Sequence, residues 1–179
     1  MNHQDHVDLL KGGIPSPSLA GVWADMGSGT GAFTLALAEL LGFGGQIHSV
    51  DKDRSAIRQQ KKVMANRFPA TTVTYHLADY THPLDLPPLD GAVLANTLHF
   101  HPEARRMTVL QLMHSYLRPG GRLILVEYGT DRGNRWVPYP MSFPTWQVVA
   151  EQAGFAETTL LATRPSRFLG QIYAALSFK

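Results

Sequence analysis

Four polar residues close apolar runs at intervals of 17 to 28 residues: Asp25 after AGVWA, Asp51 after QIHSV, Asp79 after TYHLA and Asn96 after GAVLA. Carboxylates and an amide carbonyl accept hydrogen bonds, so a row of them suits a ligand rich in hydroxyl and amino donors. Directly after the first acid lies MGSGTGAF, in which Gly27, Gly29 and Gly31 alternate with Ser28 and Thr30. Glycine tolerates positive φ and carries no Cβ, so this loop lets the backbone approach a ligand closely. A helix starting near residue 31 adds free N–H groups and a partial positive charge.

The intervening elements must bring these ends to one edge. Ligands of open α/β sheets lie beyond the carboxyl ends of the strands, where strand order reverses. Residues 2–11 read as a short helix, followed by the connector GGIPSPS over 12–18. Strands are expected at 20–25, 46–51, 71–79, 90–97 and 122–128. In the third of these, Val73, Tyr75 and Leu77 alternate as a strand's apolar face does. DGAVLANT is a continuous apolar run, as in a strand buried on both faces. Helices are expected at 31–41, stopped by Gly42, Gly44 and Gly45, at 54–67, and at 102–117, where Met107, Leu110, Met113 and Leu117 fall at helical spacing. RPGG reads as a turn, 143–155 as a helix ending at Gly154, and 156–164 and 170–178 as strands joined by PSRFL. Strands alternating with helices predict an α/β fold with a mostly parallel, doubly wound, seven-stranded sheet. The last two strands lie too close in sequence to be parallel, so an antiparallel C-terminal strand completes it.

With 179 residues the chain is read as one domain, 1–179, with 1–18 as an N-terminal helix and linker. Hydrophobic residues at 44% and charged residues at 17% predict a folded protein and not a disordered one. The absence of cysteine excludes disulfides, thiolate metal sites and a cysteine nucleophile, and fits a reducing compartment. Apolar stretches fall far short of the ~20 residues that span a bilayer. The polar start MNHQDHVDLLKGG does not read as a signal peptide, so a cytoplasmic location is expected. The basic run Lys52 to Arg67 has no interleaved aromatic platform, which favours a solvated helix face over a nucleic-acid patch.

The loop G-S-G-T-G-A also satisfies the dinucleotide fingerprint, and Asp51 stands 20 residues beyond Gly31, as a ribose-binding acid would. A P-loop is excluded, since no Lys-Ser or Lys-Thr follows the glycines. A nicotinamide-dependent oxidoreductase thus stays open on the loop alone. Read together, D-M-G-S-G-T-G, the acids closing the second and third strands, Asn96 in LANTLHF, and L-R-P-G-G-R-L before the fifth strand resemble the class I S-adenosylmethionine-dependent methyltransferases, in their short, single-domain, small-molecule form. The resemblance covers most of the chain and extends to the relatives active in quinone biosynthesis. It implies that Gly27, Ser28, Gly29 and Gly31 pack against the methionine and ribose parts of S-adenosylmethionine. Asp25 would sit near the methionine amino end. Asp51, with Lys52 beside it, would accept the ribose hydroxyls. Asp79 would accept from the adenine amino group with Tyr80 alongside, and the Asn96 backbone would face the methionine amine. This cofactor has no phosphates, and the loop has no basic residue. Asp79 and the antiparallel end count against the oxidoreductase. A non-catalytic S-adenosylmethionine-binding protein would keep the aspartates and need no acceptor pocket.

Methyl transfer asks the protein chiefly to align an acceptor and exclude water; a base is needed only for some acceptors. The sequence therefore announces no catalytic residue outright. His99 and Tyr128 are candidate bases, and His99, Tyr128, Trp136 and Tyr139 candidate acceptor contacts, the last three flanking or lying in an aromatic loop that could cover a small molecule. His99-x-His101 with His3 and His6 matches no metal-ligand spacing, so no metal is expected. Members of the resembled family that methylate amide or base nitrogens carry Asn/Asp-Pro-Pro-aromatic after the fourth strand; here the residues are Asn96-Thr97-Leu98-His99. A small-molecule acceptor is the expectation that remains.

Overall fold

The alternating apolar runs become two helical layers on one seven-stranded sheet in the computed structural model, which describes residues 1–15 and 21–179. Residues 16–18 of the expected connector, and Ala20 of the expected first strand, lie outside the described residues. The elements are α1 (His3–Leu10), β1 (Val22–Met26), α2 (Ala32–Leu41), β2 (Gln46–Asp51), α3 (Arg54–Arg67), β3 (Thr72–Leu77), β4 (Leu89–Ala95), a 3-10 turn (Leu98–Phe100), α4 (Glu103–Tyr116), β5 (Leu117–Tyr128), α5 (Phe143–Gln152), β6 (Ala156–Ser166) and β7 (Gly170–Phe178). The strand order is β3-β2-β1-β4-β5-β7-β6. All neighbours are parallel except β7, which runs antiparallel to both β5 and β6.

Strand periodicity divides the core. Trp23, Ile47, Val93, Ile124 and Val126 face one way and pack with α1, α2 and Met64 of α3. Ala24, Met26, Leu94, Leu123 and Leu125 face the other way and pack with α4 and α5. Because both faces of β4 are covered, its run is buried throughout apart from the half-buried Asp90. Helix starts follow local chemistry. Asn2 and Asp5 form a reciprocal capping box on α1, and the Asp53 carboxylate accepts from the Ser55 and Ala56 amides at the head of α3. The charged residues of α3 lie outward, as expected for a solvated face, while Ala56, Ile57, Gln60 and Met64 turn inward.

Several boundaries differ from expectation, each for a physical reason. β1 continues through Asp25 to Met26, since Met26 still pairs with Val50 and Leu94. β3 stops at Leu77, and this edge strand leaves Leu77 45% exposed although the alternation marked it for the core. RPGG does not precede β5 but bulges within it: Leu117 pairs with Leu89 and Arg122 with Gly91. Backbone bonds from Gly120 to Lys179 and from Lys179 to Gly121 hold that bulge in the sheet. α5 ends at Gln152, with Gly154 at φ 93° taking the chain out of the helix. β6 runs on to Ser166, which shortens the expected turn to residues 167–169.

Candidate active site

The glycine loop joins β1 to α2, and its glycines are required sterically. Gly27, Gly29 and Gly31 have φ of 77°, 53° and 91°. A Cβ at Gly27 would stand 2.5 Å from Thr97 Oγ1, and one at Gly31 2.4 Å from the Gln60 side chain. Behind the loop runs a buried polar chain. Ser28 and Ser49 hydroxyls lie 2.8 Å apart, Ser49 reaches Gln60, the Gln60 amide donates to Thr34, and Thr34 Oγ1 donates to Asp25 Oδ2 at 2.6 Å. Asp25 is only 1% exposed. Burial pushes its pKa up to about 7; the Thr34 hydrogen bond opposes the rise and the Asp51 charge adds to it.

In front of the loop, strand order reverses between β1 and β4, and a cleft of about 260 Å³ opens there. Gly27, Asp51, Lys52, Ala78, Asp79, Tyr80, Asn96 and Thr97 line it, with Phe100 and His101 at one side. Asp51 Oδ2 accepts the Gly29 amide at 2.7 Å and Oδ1 the Asp53 amide at 2.8 Å, so the carboxylate ties the end of β2 to the loop. Asp79 Oδ1 accepts the Thr81 amide and hydroxyl at 3.0 and 2.8 Å. Partial burial draws the Asp79 pKa upward, but the Thr81 bonds and the Lys52 charge outweigh it and hold it below the usual carboxylate value. Tyr80 Oη accepts from Thr97 Oγ1 at 2.9 Å and lies 2.8 Å from His101 Nε2; burial pushes this phenol up to about 12. Asn96 takes φ 52°, in the left-handed region, while its amide still bonds Val126. Its Oδ1 is buried with no partner among the described residues. The Asn96 side chain thus holds a buried acceptor with no such partner, on a residue that lines the cleft with a left-handed backbone. The set suits a ligand with hydroxyls and amines, which is what S-adenosylmethionine presents.

One strand further along the same edge, His99 and Glu127 form a buried pair, with side chains 3% and 0% exposed. His99 Nδ1 lies 2.9 and 3.0 Å from the two Glu127 oxygens, and Oε1 also accepts the Tyr128 amide at 2.7 Å. Arg106 and Tyr173 complete the cluster; burial lowers the arginine pKa against the pull of Glu103 and Glu127, and burial raises that of Tyr173. The loop 129–142 lies over this cluster. Asp131 accepts from the Ser142 amide and hydroxyl at 2.8 and 2.7 Å, and the Tyr139 amide bonds the His99 carbonyl at 3.0 Å.

Residues 24–121 match the family model described as a methyltransferase domain. The chain belongs to that family. Its fold matches solved methyltransferases at low identity. A 1,6-didemethyltoxoflavin-N1-methyltransferase from Burkholderia thailandensis, solved with 1,6-didemethyltoxoflavin and S-adenosylhomocysteine, is 19% identical with a TM-score of 0.76, covering 99% of this chain and 77% of that one. A magnesium protoporphyrin IX methyltransferase from Synechocystis, solved with S-adenosylmethionine, is 16% identical with a TM-score of 0.74, covering 99% and 79%. Among curated proteins, a carboxy-S-adenosyl-L-methionine synthase from a Psychrobacter species is 32% identical over 120 residues, which are 63% of this chain and 43% of that protein. The chain thus spans less than half the length of that curated relative.

Within this methyltransferase domain, six of the expected cofactor residues meet in the cleft: Gly27, Asp51, Lys52, Asp79, Tyr80 and Asn96. Asp25, Ser28, Gly29 and Gly31 do not line it. Asp25, expected near the methionine amine, instead turns inward to Thr34. Asp79 lies beyond the last residue of β3 and does not close the strand itself. The expected acceptor contacts are scattered. His99 is sealed beneath the loop, while Trp136 and Tyr139 are 65% and 44% exposed. Tyr128 lines a separate hollow of about 490 Å³ with Arg167, Phe168 and Ile172. Thr97, Phe100 and His101 join the cleft from the segment after β4, whose only signal in the sequence is its position beyond a strand end. Glu127 was hidden inside the apolar run RLILVEY, where a lone acid is itself the signal of a buried partner.

Proposed function

We propose that this methyltransferase domain binds S-adenosylmethionine in the cleft and transfers its methyl group to a small-molecule acceptor. The observation that carries the reading is the acceptor-rich cleft at the switch point, lined by Asp51, Asp79 and Asn96. Asp51 holds the ribose hydroxyls, Asp79 the adenine amine, and the end of β4 at Asn96 the methionine amine. Gly27 and its neighbours bring the backbone close, and Asp25 supports the loop from behind through Thr34. When bound, the cofactor supplies a methyl group on a positively charged sulfur. The chain's own part is to align the acceptor and keep water away beneath the loop 129–142.

The acceptor is a small molecule on two grounds. The segment Asn96-Thr97-Leu98-His99 lacks the proline pair associated with amide and base nitrogens. The solved relatives above are named for small heterocyclic and porphyrin acceptors. The synthase relative is named for a product built on S-adenosylmethionine, which supports the cofactor assignment. Residues 1–179 act as one domain. No helix of the described residues is long and apolar enough to cross a membrane, and we assign the domain to the cytoplasm. Tritium transfer from methyl-labelled S-adenosylmethionine into a mixed pool of phenols, quinols and amines tests the reading. Label should enter the pool with wild type and fall to background with Asp51→Ala. Hydride transfer from NADH in place of methyl transfer would refute it.

A further inference from the structure

The cofactor cleft, at about 260 Å³, is smaller than the ~300–1,000 Å³ of ordinary ligand pockets. Once S-adenosylmethionine fills it there is no room for a second molecule, so the acceptor is held elsewhere. We infer that the hollow of about 490 Å³ beyond Tyr128 is the acceptor's binding site and that it takes an aromatic carboxylate. The inference rests on the proposed function and names its substrate class. Tyr128 and Phe168 make one wall of the hollow, their ring centroids 5.9 Å apart. Ile172, which pairs with Tyr128 across β5 and β7, continues that apolar surface. Such a wall receives a flat ring by offset or edge contact. Arg167, on the turn between β6 and β7, supplies the polar end. Nearby Arg164 is spent on Asp5 and Asp8 of α1, whereas Arg167 has no ion pair or side-chain hydrogen bond among the described residues. A planar guanidinium with its donors unspent matches a carboxylate through two parallel hydrogen bonds. Asp5 also lines the hollow, its carboxylate already accepting the Asn2 amide and facing Arg164. Its remaining charge admits one carboxylate near Arg167 and repels a second.

The hollow lies at the sheet edge that carries the cleft. Tyr128 is the last residue of β5, two beyond Val126, and Val126 pairs with Ala95 and accepts the amide of Asn96 in the cleft. Tyr128 therefore stands within about 10 Å of Asn96, since neighbouring strands lie about 4.8 Å apart and two residues of strand rise about 7 Å. Rings fill that gap: Tyr128 is 5.8 Å from His99, and His99 is 4.4 Å from Phe100, which lines the cleft. An acceptor with its carboxylate on Arg167 and its ring against Phe168 and Tyr128 extends its far end toward the cleft. As a hydroxyl or amine at that end bonds to the methyl carbon, the carbon–sulfur bond breaks with its electron pair kept on sulfur, and the displaced proton leaves to solvent. Arg167 holds the end of the acceptor that does not react, so it binds ground state and transition state alike and sets specificity through KM.

Isothermal titration of wild type saturated with S-adenosylhomocysteine tests the site, with cinnamate and its neutral counterpart cinnamamide as probes. Cinnamate should bind at least about tenfold more tightly, as a charge-assisted pair does over a neutral one. Arg167→Gln should weaken cinnamate binding about tenfold to a hundredfold, the range for hydrogen bonds to charged groups, and leave cinnamamide almost unaffected. Arg167→Lys should recover part of the loss, and Phe168→Ala should weaken both probes. Arg167 and Phe168 are exposed, so both variants should melt with wild type and keep its cofactor Kd. With S-adenosylmethionine, wild type should methylate 4-hydroxycinnamate or 4-aminocinnamate, and Arg167→Gln should raise KM while kcat stays near wild type. Equal binding of the two probes, cinnamate binding that survives Arg167→Gln, or loss of cofactor binding in that variant would overturn the inference. So would a bound cinnamate whose hydroxy and amino derivatives both stay unmethylated. Cofactor binding with no cinnamate bound overturns the inference and leaves the proposed function standing. Absence of cofactor binding in wild type overturns both.

Discussion

Asp51 accepts the Gly29 and Asp53 amides and also lines the cleft, so in the proposed function it serves the loop and the ligand together. Hydrogen bonds to a charged group contribute about 1.5–3 kcal/mol. Asp51→Ala is therefore expected to weaken S-adenosylmethionine binding about tenfold to a hundredfold. It should also lower stability by about 1 kcal/mol as the Gly29 amide loses its partner. Calorimetric titration and thermal melts read both effects; an unchanged affinity in a folded variant removes the ribose role. Asp25 behaves in the opposite way. Its folded pKa of about 7 lies above the unfolded value, so its contribution is full below about pH 4 and is lost as pH rises through 7. Asp25→Asn should leave the melting temperature nearly unchanged at pH 4.5 and raise it at pH 8, by the equivalent of about 2–4 kcal/mol at most. A variant less stable than wild type at pH 8 contradicts the buried-acid account. In the sequence Asp25 and Asp51 look alike, each an acid after an apolar run. They part because Asp25 still lies within β1, pairing with Ser49 and Val93 and turned toward α2, whereas Asp51 ends its strand at the cleft. That difference is one of side-chain parity within the sheet, which a strand boundary uncertain by one residue does not reveal.

The loop between β1 and α2 depends on backbone conformation more than on any side chain. Gly31→Ala would force a Cβ into a positive-φ site and against Gln60 at 2.4 Å, disturbing the buried chain to Asp25. A loss of about 1–3 kcal/mol in denaturant unfolding is expected; a melt that matches wild type would mean the loop relaxes freely. At the other side of β2, His48 Nδ1 and His76 Nε2 lie 2.9 Å apart with their rings stacked. Burial, with the His76 charge adding at His48, lowers both pKa values. Lowered histidines favour the neutral pair, so its contribution is full above about pH 6.5 and is lost as pH falls through the folded values. Wild type should lose stability between pH 7 and 5 more steeply than His48→Gln, and parallel curves would dismiss the pair as a pH-sensitive element. Element types were legible because the periods are unambiguous: QIHSVD and the helix from Arg54 to Arg67 keep their expected bounds. The RPGG bulge and the exposed Leu77 were not legible, because both depend on which strand lies alongside.

Across the whole molecule, a doubly wound sheet covered on both faces directs its polar residues to one edge, and the strand reversal between β1 and β4 makes the cleft there. Six residues of the cleft proposed for the cofactor could be read in advance because they lie in the glycine loop or at strand ends. The expected acceptor contacts were not brought together: His99 is buried in the 3-10 turn against an inward acid on β5, and Trp136 and Tyr139 stay exposed on a loop without period. The central claim is that this edge receives S-adenosylmethionine. Isothermal titration of the wild-type chain with S-adenosylmethionine, S-adenosylhomocysteine and NADH tests it most directly. The account predicts one-to-one binding of both sulfur ligands. It also predicts a raised melting temperature, about 2.7 kcal/mol of added stability at a ligand concentration one hundred times Kd, and no heat from NADH. Micromolar binding of NADH with no heat from either sulfur ligand would contradict it.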